Sequence, residues 1–405
     1  MFRLRDLSDA IERACRSFPC VLVTGPRQSG KSTLLRQRFG GTHAYLTLDH
    51  PDARERARRD PSGFFRRHPA PLILDEVQHV PELLSYVKAM IDEDRRPGRF
   101  LLSGSQSFAL MQGITESLAG RVAVLTLLPM SAGEIGGRVR DPHDREPIPA
   151  RWMAGEVEPR KHLALARWLM RGGYPERWFA RSVDQELWAA SYVQTYLERD
   201  VRSLIGVRDL DAFATFLRLV AARTGQILNL SDLARDAGIT HPTARQWISV
   251  LEASHQVLLL RPHYANLGKR LIKAPKIYWL DTGVAAHLVG LDERTVTTHA
   301  MAGALFETAV VAELLKAHHH RGREPRLWYF RSRDGWEVDV VMERKSKLHA
   351  IEIKLTATPR PLHAEPLDRF RKATRTASIP GYVICDIKHP EPLAPGVTAM
   401  PWGGL

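Results

Sequence analysis

The stretch Gly25-Pro26-Arg27-Gln28-Ser29-Gly30-Lys31-Ser32-Thr33 decides the fold of the N-terminal part of the chain. It follows the apolar run 20–24 and opens an amphipathic run, so it joins a buried strand to a helix. The two glycines of this G-x-x-x-x-G-K-S pattern allow the backbone to curl until successive N–H groups point at phosphate oxygens. We therefore expect these residues to bind the phosphates of ATP.

Individual side chains in and after this loop have expected roles in catalysis. Lys31 should reach the β and γ phosphates, and Ser32 should ligate magnesium. A second apolar run, 71–74, ends in Asp75 and Glu76. Asp75 is expected to hold the same Mg²⁺ through water, and Glu76 to orient and deprotonate the attacking water. Together the two motifs predict an enzyme that binds ATP with Mg²⁺ and hydrolyses ATP.

Two further catalytic candidates lie downstream. A third apolar run, 100–102, leads into Ser103 and Ser105. In ATPases that insert a strand between the two phosphate-site strands, a polar residue at this place senses the γ-phosphate, and either serine could do so. Arg121 is a candidate for stabilising the transition-state charge in a neighbouring subunit's site. A solvent-exposed arginine without that role is the alternative.

Charge and composition limit the class of protein. Lysine and arginine outnumber aspartate and glutamate by 58 to 45, a formal net charge of +13 that favours a polyanionic partner, with DNA as the first choice and plain solubility as the alternative. The three cysteines fit neither a disulfide framework nor a zinc ribbon. No signal peptide or long apolar run is evident, so we expect a cytoplasmic protein without a membrane partner.

The order of the apolar patterns predicts several domains. Short runs that are apolar on both faces alternate with amphipathic stretches up to about residue 131, which indicates a parallel sheet covered by helices, an α/β core. Helical spacing follows, and strand signals resume near residue 256. The predicted domains are an ATPase core at 1–140, a helical lid or linker at 141–225, a winged helix-turn-helix at 226–290 and a mixed α/β domain at 291–405.

The segment 229–251 has the pattern of a helix-turn-helix. Ser231 suits an N-cap, Gly238 supplies the turn and Pro242 stands at the start of the second helix. In such a helix the N-terminal part approaches DNA bases, and a basic wing after it grips phosphates. A protein-docking role is the alternative. The predicted DNA contacts are Thr243, Arg245, Lys269, Arg270 and Lys273.

Carboxylates near the C-terminus could hold a second metal ion. Glu307 lies on an amphipathic helix, and Asp339 and Glu352 lie on runs with strand character. Because side chains alternate along a strand, Glu352 and Lys354 should project on the same side. With Glu307, the two strand carboxylates could flank Mg²⁺ or Mn²⁺, with Lys354 placed to activate water. An amphipathic edge strand with alternating charge is the alternative.

These motifs resemble those of the AAA-type ATPase family of bacteria and archaea that carries an attached C-terminal domain of formerly unknown function. Residues 192–200 and 277–283 resemble that attached region, so the resemblance covers nearly the whole chain. It implies AAA+-related ATP hydrolysis and a homo-oligomer, a hexamer being one option, because AAA modules usually complete their sites across subunits. The motifs are Gly25 to Leu35, Leu74-Asp-Glu-Val-Gln, Leu102-Ser-Gly-Ser-Gln-Ser, Leu118-Ala-Gly-Arg and Leu128-Pro-Met-Ser.

The pattern of a helical glutamate, an aspartate and Glu-x-Lys resembles the restriction-endonuclease-like PD-(D/E)xK superfamily. Val338 stands where that superfamily's eponymous proline would be. The resulting expectation is ATP-dependent work on DNA, such as remodelling, translocation, helicase action or branch migration in repair, recombination or defence. The alternatives are a metal-dependent nuclease gated by ATP and an ATP-dependent switch that binds a protein partner. The run His318–His320 is expected to be an exposed surface feature.

Overall fold

The computed structural model describes residues 3–104, 117–138, 146, 148, 150–155, 163–195, 209–263, 274–376 and 378–404. The N-terminal part is a sheet with helices on both faces. Its elements are α1 Leu7–Cys15, β1 Cys20–Thr24, α2 Lys31–Phe39, β2 Ala44–Thr47, α3 Pro51–Arg59, α4 Pro61–Arg67, β3 Leu72–Asp75, α5 Leu83–Glu93, β4 Phe100–Ser103, β5 Val122–Thr126 and α6 Ala132–Ile135.

The sheet has five parallel strands in the order β2-β3-β4-β1-β5. β1, β3 and β4 are buried along their whole length, because helices cover both faces and bury one apolar cluster on each side. β4 therefore lies between the strand that leads into the Gly25 loop and the strand that ends at Asp75. The predicted parallel-sheet core with an inserted strand is confirmed.

A helical segment and a helix-turn-helix follow the sheet. Asn229 caps the first helix of the helix-turn-helix pair and Thr240 caps the second, so Asn229 replaces the predicted cap Ser231. Three antiparallel strands form a sheet in the order β6 (Gln226–Ile227), β8 (Lys276–Trp279) and β7 (Val257–Leu260). We call it the winged-helix sheet. The elements are α7 Ala150–Met153, α8 Leu165–Arg171, α9 Glu176–Phe179, α10 Gln185–Tyr192, α11 Leu210–Ala222, β6 Gln226–Ile227, α12 Leu230–Asp236, α13 His241–Ala253, β7 Val257–Leu260 and β8 Lys276–Trp279.

The C-terminal part is a mixed six-stranded sheet in the order β13-β14-β12-β11-β10-β9. β9, β10 and β11 form an antiparallel meander, and β12 continues the sheet parallel to β11. Along the chain, one long helix, three strands and a second helix are followed by three more strands. The elements are α14 Thr282–Leu288, α15 Ala302–His319, β9 Leu327–Arg331, β10 Glu337–Arg344, β11 Lys347–Ile353, α16 Glu365–Thr374, β12 Gly381–Cys385, β13 Glu391–Ala394 and β14 Val397–Pro401.

A single apolar cluster joins the helical segment, the helix-turn-helix pair, α15 and one face of the C-terminal sheet. A small cluster of Leu128, Leu280, Ala312 and Leu315 connects α15 to the chain that follows β5. α15 therefore lies at the centre of the molecule, in contact with the N-terminal part as well as the C-terminal sheet. No helix among the described residues is long and apolar enough to cross a membrane.

Candidate functional site

The loop between β1 and α2 has the backbone of a phosphate-binding loop. Gly25 has a φ of 140°, and a Cβ on it would lie 2.2 Å from the Leu127 carbonyl oxygen, so only glycine fits. Gln28 and Gly30 also have positive φ values, of 60° and 95°. These conformations curl the loop so that the N-terminus of α2, which begins at Lys31, closes it.

The Lys31 ammonium group folds back over the loop. Its Nζ donates to the carbonyl oxygens of Gly25 at 3.1 Å and Pro26 at 2.9 Å. Burial lowers the pKa of Lys31 to about 8, although Glu76 and Asp75 oppose this effect. The lysine therefore lies beside the loop backbone and within the field of both carboxylates.

Asp75 ties the loop to two neighbouring strands. Its carboxylate accepts hydrogen bonds from Ser32 Oγ at 3.0 Å and from the hydroxyl of Tyr45, on β2, at 2.6 Å. Ser103, at the end of β4, also donates to it. Because the parallel strands all end at this edge of the sheet, hydroxyl groups from three elements converge on one buried carboxylate. This arrangement brings together the two predicted magnesium ligands, Ser32 and Asp75.

Glu76 follows β3 in a left-handed backbone conformation, with φ 56° and ψ 47°. A non-glycine residue adopts this conformation at a cost of about 1 kcal/mol or more, and such residues cluster at functional sites. The Gln78 side-chain amide donates to the Glu76 carboxylate and fixes its position. Glu76 thus lies at the carboxyl end of β3, directly after Asp75, as a catalytic base for this site would.

Residues from the segments that follow the N-terminal sheet cover the loop. The Pro175 ring lies over Gly30, where an added Cβ would be 3.8 Å from its Cγ. Burial, and then the charge of the nearby Lys31 ammonium, lower the pKa of His255, in the turn between α13 and β7, to about 4. The candidate nucleotide site is therefore bordered by the helical segment and by the helix-turn-helix pair.

Arg5 connects the loop to the chain that follows β5. Its guanidinium donates to the carbonyl oxygens of Ser29 and Leu128, both at 2.7 Å, and its Nε lies 3.0 Å from Glu134 Oε1. The Glu134 side chain is fully buried and lies 3.4 Å from His320 Nδ1, at the end of α15. Burial alone would raise the pKa of Glu134, but Arg5 and then His320 hold it well below its usual range. Glu134 therefore connects Arg5, and through it the loop, to the C-terminal part.

Replacing Arg5 by methionine should lower the free energy of unfolding by about 3–5 kcal/mol, because Glu134 would keep a buried charge without its main partner. Denaturant unfolding followed by far-ultraviolet circular dichroism measures this loss. Arg16→Met is the matched control: Arg16 is exposed, so its replacement should change stability by less than about 0.5 kcal/mol. An Arg5→Met protein as stable as the control would contradict this role of Arg5.

Arg121 is not part of this group. Arg121 directly precedes β5. On the surface its Nε lies 2.7 Å from Oδ1 of Asp92, on α5. Its action on a neighbouring subunit stays a prediction. Ser105 lies outside the described residues, while Ser103, the other candidate in that motif, contacts Asp75.

The predicted DNA contacts are only partly within the described residues. Arg245 is exposed on α13 and Thr243 is half-buried in its first turn, where its hydroxyl meets that of the Thr240 cap at 2.8 Å. Both lie in the N-terminal part of the second helix of the pair, where the sequence placed them. Lys269, Arg270 and Lys273 lie outside the described residues.

The four predicted C-terminal residues come together on one side of the C-terminal sheet. Lys354 Nζ lies 2.6 Å from Glu352 Oε1 and 3.8 Å from Asp339 Oδ2. Glu307, on α15, reaches the same place and shares a lysine partner with Asp339. That partner is Lys276, the first residue of β8.

The described residues of the C-terminal sheet and α15 form no ready site for the second metal ion that the sequence predicted. No group of three or more His, Cys, Asp or Glu side chains in the described part of the chain has an arrangement that could hold a metal ion. The physical reason is that the Lys276 ammonium lies between the carboxylates, at 3.2 Å from Glu307 and 3.7 Å from Asp339. Two of the predicted ligands therefore already have a cation between them.

Several residues of these sites have no recognisable signal in the sequence. Tyr45 and Arg5 carry no motif, and only the fold brings them to Asp75 and the loop. The histidine run was wrongly expected to be exposed: His318 and His320 are buried, because α15 is covered on almost every side. No local signal would have found these contacts, since each joins segments far apart in the chain.

Comparisons with known proteins assign families along the chain. Residues 17–136 match a family described as an AAA domain, and residues 162–295 and 302–405 match the domains of unknown function DUF8612 and DUF4143. The uncharacterized proteins Rv2008c of Mycobacterium tuberculosis and Mb2031c of Mycobacterium bovis are each 32% identical, over 98% of this chain and 83% of their own. A Walker-type ATPase of Pyrococcus abyssi is similar in structure with a TM-score of 0.42 at 16% identity, covering 71% of this chain and 96% of that one.

Proposed function

We propose that this chain, which belongs to the family of AAA-type P-loop ATPases with a C-terminal DUF4143 domain, hydrolyses ATP with magnesium and uses the energy to act on DNA. The proposal of ATP hydrolysis rests on the contact between the loop and the acid of β3, in which Ser32 Oγ donates to Asp75 at 3.0 Å. In P-loop enzymes these two side chains hold the ion that accompanies the nucleotide.

The residues at the loop fit a nucleotide. Gly25, Gln28 and Gly30 give the loop a positive-φ backbone whose N–H groups can face phosphate oxygens. Lys31, which now donates to loop carbonyls, would turn to the β and γ phosphates. Magnesium held by Ser32 and Asp75 would neutralise part of the phosphate charge when bound.

Glu76 supplies the base in this proposal. It directly follows Asp75, and Gln78 fixes its carboxylate. A carboxylate so placed would accept a proton from water that attacks the γ-phosphate and would orient that water. The products would be ADP and inorganic phosphate.

The helix-turn-helix pair supports a role on DNA. Arg245 is exposed near the N-terminus of α13, the part of a recognition helix that approaches base edges. The net charge of +13 favours a polyanion in addition. His255, in the turn directly after α13, lies near Lys31, so a change at the nucleotide site has a short route to the helix that would contact DNA.

A homo-oligomer completes the proposal. AAA modules use an arginine from one subunit at the site of the next, and Arg121 is the candidate here. It pairs with the partly exposed Asp92 on the surface and would have to leave that carboxylate to reach a neighbouring site.

DNA should stimulate ATP turnover several-fold, and the measurement is the steady-state rate with single-stranded, duplex, forked and four-way DNA at constant salt.

Arg245→Ala should weaken DNA binding by about 1–3 kcal/mol if the arginine contacts a base, or less if it contacts a phosphate. Arg218→Ala, which removes an exposed arginine on α11, is the matched control.

Two outcomes separate this proposal from its alternative. Turnover that DNA does not change, with full DNA affinity in Arg245→Ala, would remove DNA from the proposal and favour an ATP-dependent switch on a protein partner. Turnover that rises with one DNA form and falls back in Arg245→Ala would support the DNA role and identify the preferred structure.

A further inference from the structure

The ammonium group of Lys276 is buried among three carboxylates. Its Nζ lies 3.1 Å from Glu337 Oε2, 3.2 Å from Glu307 Oε1 and 3.7 Å from Asp339 Oδ1, and only 4% of the residue is exposed. We call Glu307, Glu337, Asp339 and Glu352 the acidic cluster. The contacts to Glu337 and Glu307 are within hydrogen-bond distance, and Asp339 is close enough for an ion pair.

The distances in the acidic cluster are those of an ammonium ion. Oxygen ligands approach Mg²⁺ to about 2.0–2.1 Å and Ca²⁺ to about 2.3–2.6 Å, so carboxylates that hold either ion lie closer together than carboxylates around a nitrogen. The contacts of 3.1 to 3.7 Å leave the oxygens too far from the central position to coordinate a small divalent ion. The cluster is therefore shaped around the Lys276 nitrogen.

Each of the three carboxylates around Lys276 also accepts a hydrogen bond from a second donor. The Tyr278 hydroxyl donates to Glu307 Oε1 at 2.6 Å, and the backbone N–H of Ile353 donates to Asp339 Oδ2 at 2.9 Å. Arg331 donates to Glu337 Oε1 at 2.8 Å. Three of the four carboxylates thus have a second partner besides Lys276, and these bonds orient them toward the lysine.

The fourth carboxylate, Glu352, has a cation of its own, because Lys354 Nζ lies 2.6 Å from its Oε1. Burial alone would lower the pKa of Lys276, but Glu307, Asp339 and Glu337 raise it above its usual value. The lysine therefore remains charged and the cluster gains its cation from the chain itself.

Lys276 does not belong to the C-terminal sheet. It is the first residue of β8, opposite Leu260 of β7 and Ile227 of β6, and so belongs to the winged-helix sheet. A hydrogen bond from the Tyr329 hydroxyl to the Ala274 carbonyl, at 2.6 Å, secures the chain just before it. The acidic cluster is therefore joined through one side chain to the sheet beside the helix-turn-helix pair.

We propose that Lys276 is the permanent cation of the acidic cluster: it takes the place of a divalent metal, so the C-terminal domain holds no second metal ion and does not cleave DNA, and it fixes the winged-helix sheet to that domain. The proposal goes beyond the ATPase function and does not depend on it. All of its residues lie away from the Gly25 loop, so ATP turnover and the cluster can be tested separately.

The first experiment titrates the nucleotide-free protein with Mn²⁺, with uptake followed by electron paramagnetic resonance. The wild-type protein and Asp339→Asn should take up the same amount of Mn²⁺, since Asp339 is already paired with Lys276 and Lys354. Glu352→Gln provides a second comparison if Asp339→Asn does not fold. Mn²⁺ uptake by the wild type that either replacement abolishes would overturn the proposal.

The second experiment removes the ammonium group. Lys276→Met keeps most of the side-chain volume and leaves the buried carboxylates without their cation, so Tm should fall by roughly 5–10 °C. Millimolar Mn²⁺ should restore part of this loss, because the carboxylates are then free to take a metal ion. Lys372→Met, which removes an exposed lysine of α16, is the control and should leave Tm and its Mn²⁺ response unchanged.

The same variants give a direct test of cleavage. Wild-type protein should leave plasmid and forked DNA intact with Mg²⁺ or Mn²⁺, with or without ATP. Cleavage that is lost in Asp339→Asn would overturn the proposal and restore the nuclease alternative. A Lys276→Met protein that is as stable as the control, or whose Tm does not respond to Mn²⁺, would also overturn it.

Discussion

Glu76→Gln should lower the ATP turnover number by about 10²- to 10⁴-fold while ATP still binds, because glutamine keeps the shape of the side chain but cannot accept a proton from water. The structure places Glu76 directly after Asp75 in a left-handed conformation held by Gln78, and glutamine can adopt the same backbone. Phosphate release at saturating ATP measures the rate, and displacement of a fluorescent nucleotide measures binding.

The matched control for this change is Glu82→Gln. Glu82 is exposed at the N-terminus of α5, a few residues further along the same chain segment, and its replacement should leave turnover within about twofold. If Glu76→Gln kept more than a tenth of the wild-type rate, another group would have to be the base.

Lys31→Met should reduce turnover by at least about 10²-fold and weaken ATP binding as well, since the lysine is the buried cation of the loop. Methionine keeps an unbranched side chain that is one atom shorter and removes the ammonium charge and its donors. The loss of the bonds to Gly25 and Pro26 also costs some stability, so circular dichroism should first establish that the variant is folded.

Lys88→Met is the control for the lysine replacement. Lys88 lies on the outer part of α5, away from the loop, and its removal should change neither the affinity for ATP nor the rate. Equal affinities of Lys31→Met and wild type would show that the loop does not contact the phosphates.

The parts of the fold that the sequence predicted well are those with local signals. The loop at Gly25 and the acids after β3 were predictable because a motif sets both the residue types and the adjoining strand. The helix-turn-helix pair was predictable for the same reason, since a glycine turn and capping residues mark its ends. In each case the residues that define the structure are neighbours in the chain.

The sequence could not predict contacts between distant segments. Arg5 reaches Leu128, and Glu134 reaches His320, across more than a hundred residues. Buried ion pairs of this kind leave no periodic pattern, so the histidine run at the end of α15 was expected to lie on the surface. Burial there comes from tertiary packing on several sides of one helix, which overrides the local pattern.

The acidic cluster shows the same limit. Lys354 lies beside Glu352, as expected, because strand alternation projects these two residues on the same side. The expected metal ion was not supported, because Lys276 enters from a different sheet. Neither its spacing nor its neighbours in the sequence mark it as a partner of these carboxylates.

The most direct test of the nucleotide site is a calorimetric titration of the protein with a non-hydrolysable ATP analogue, with and without Mg²⁺. Saturable binding at one site per chain is predicted, tighter with Mg²⁺ and strongly weakened by Lys31→Met. No heat of binding in the wild-type protein, or binding that Lys31→Met leaves unchanged, would contradict the assignment of the Gly25–Ser32 loop as the ATP site.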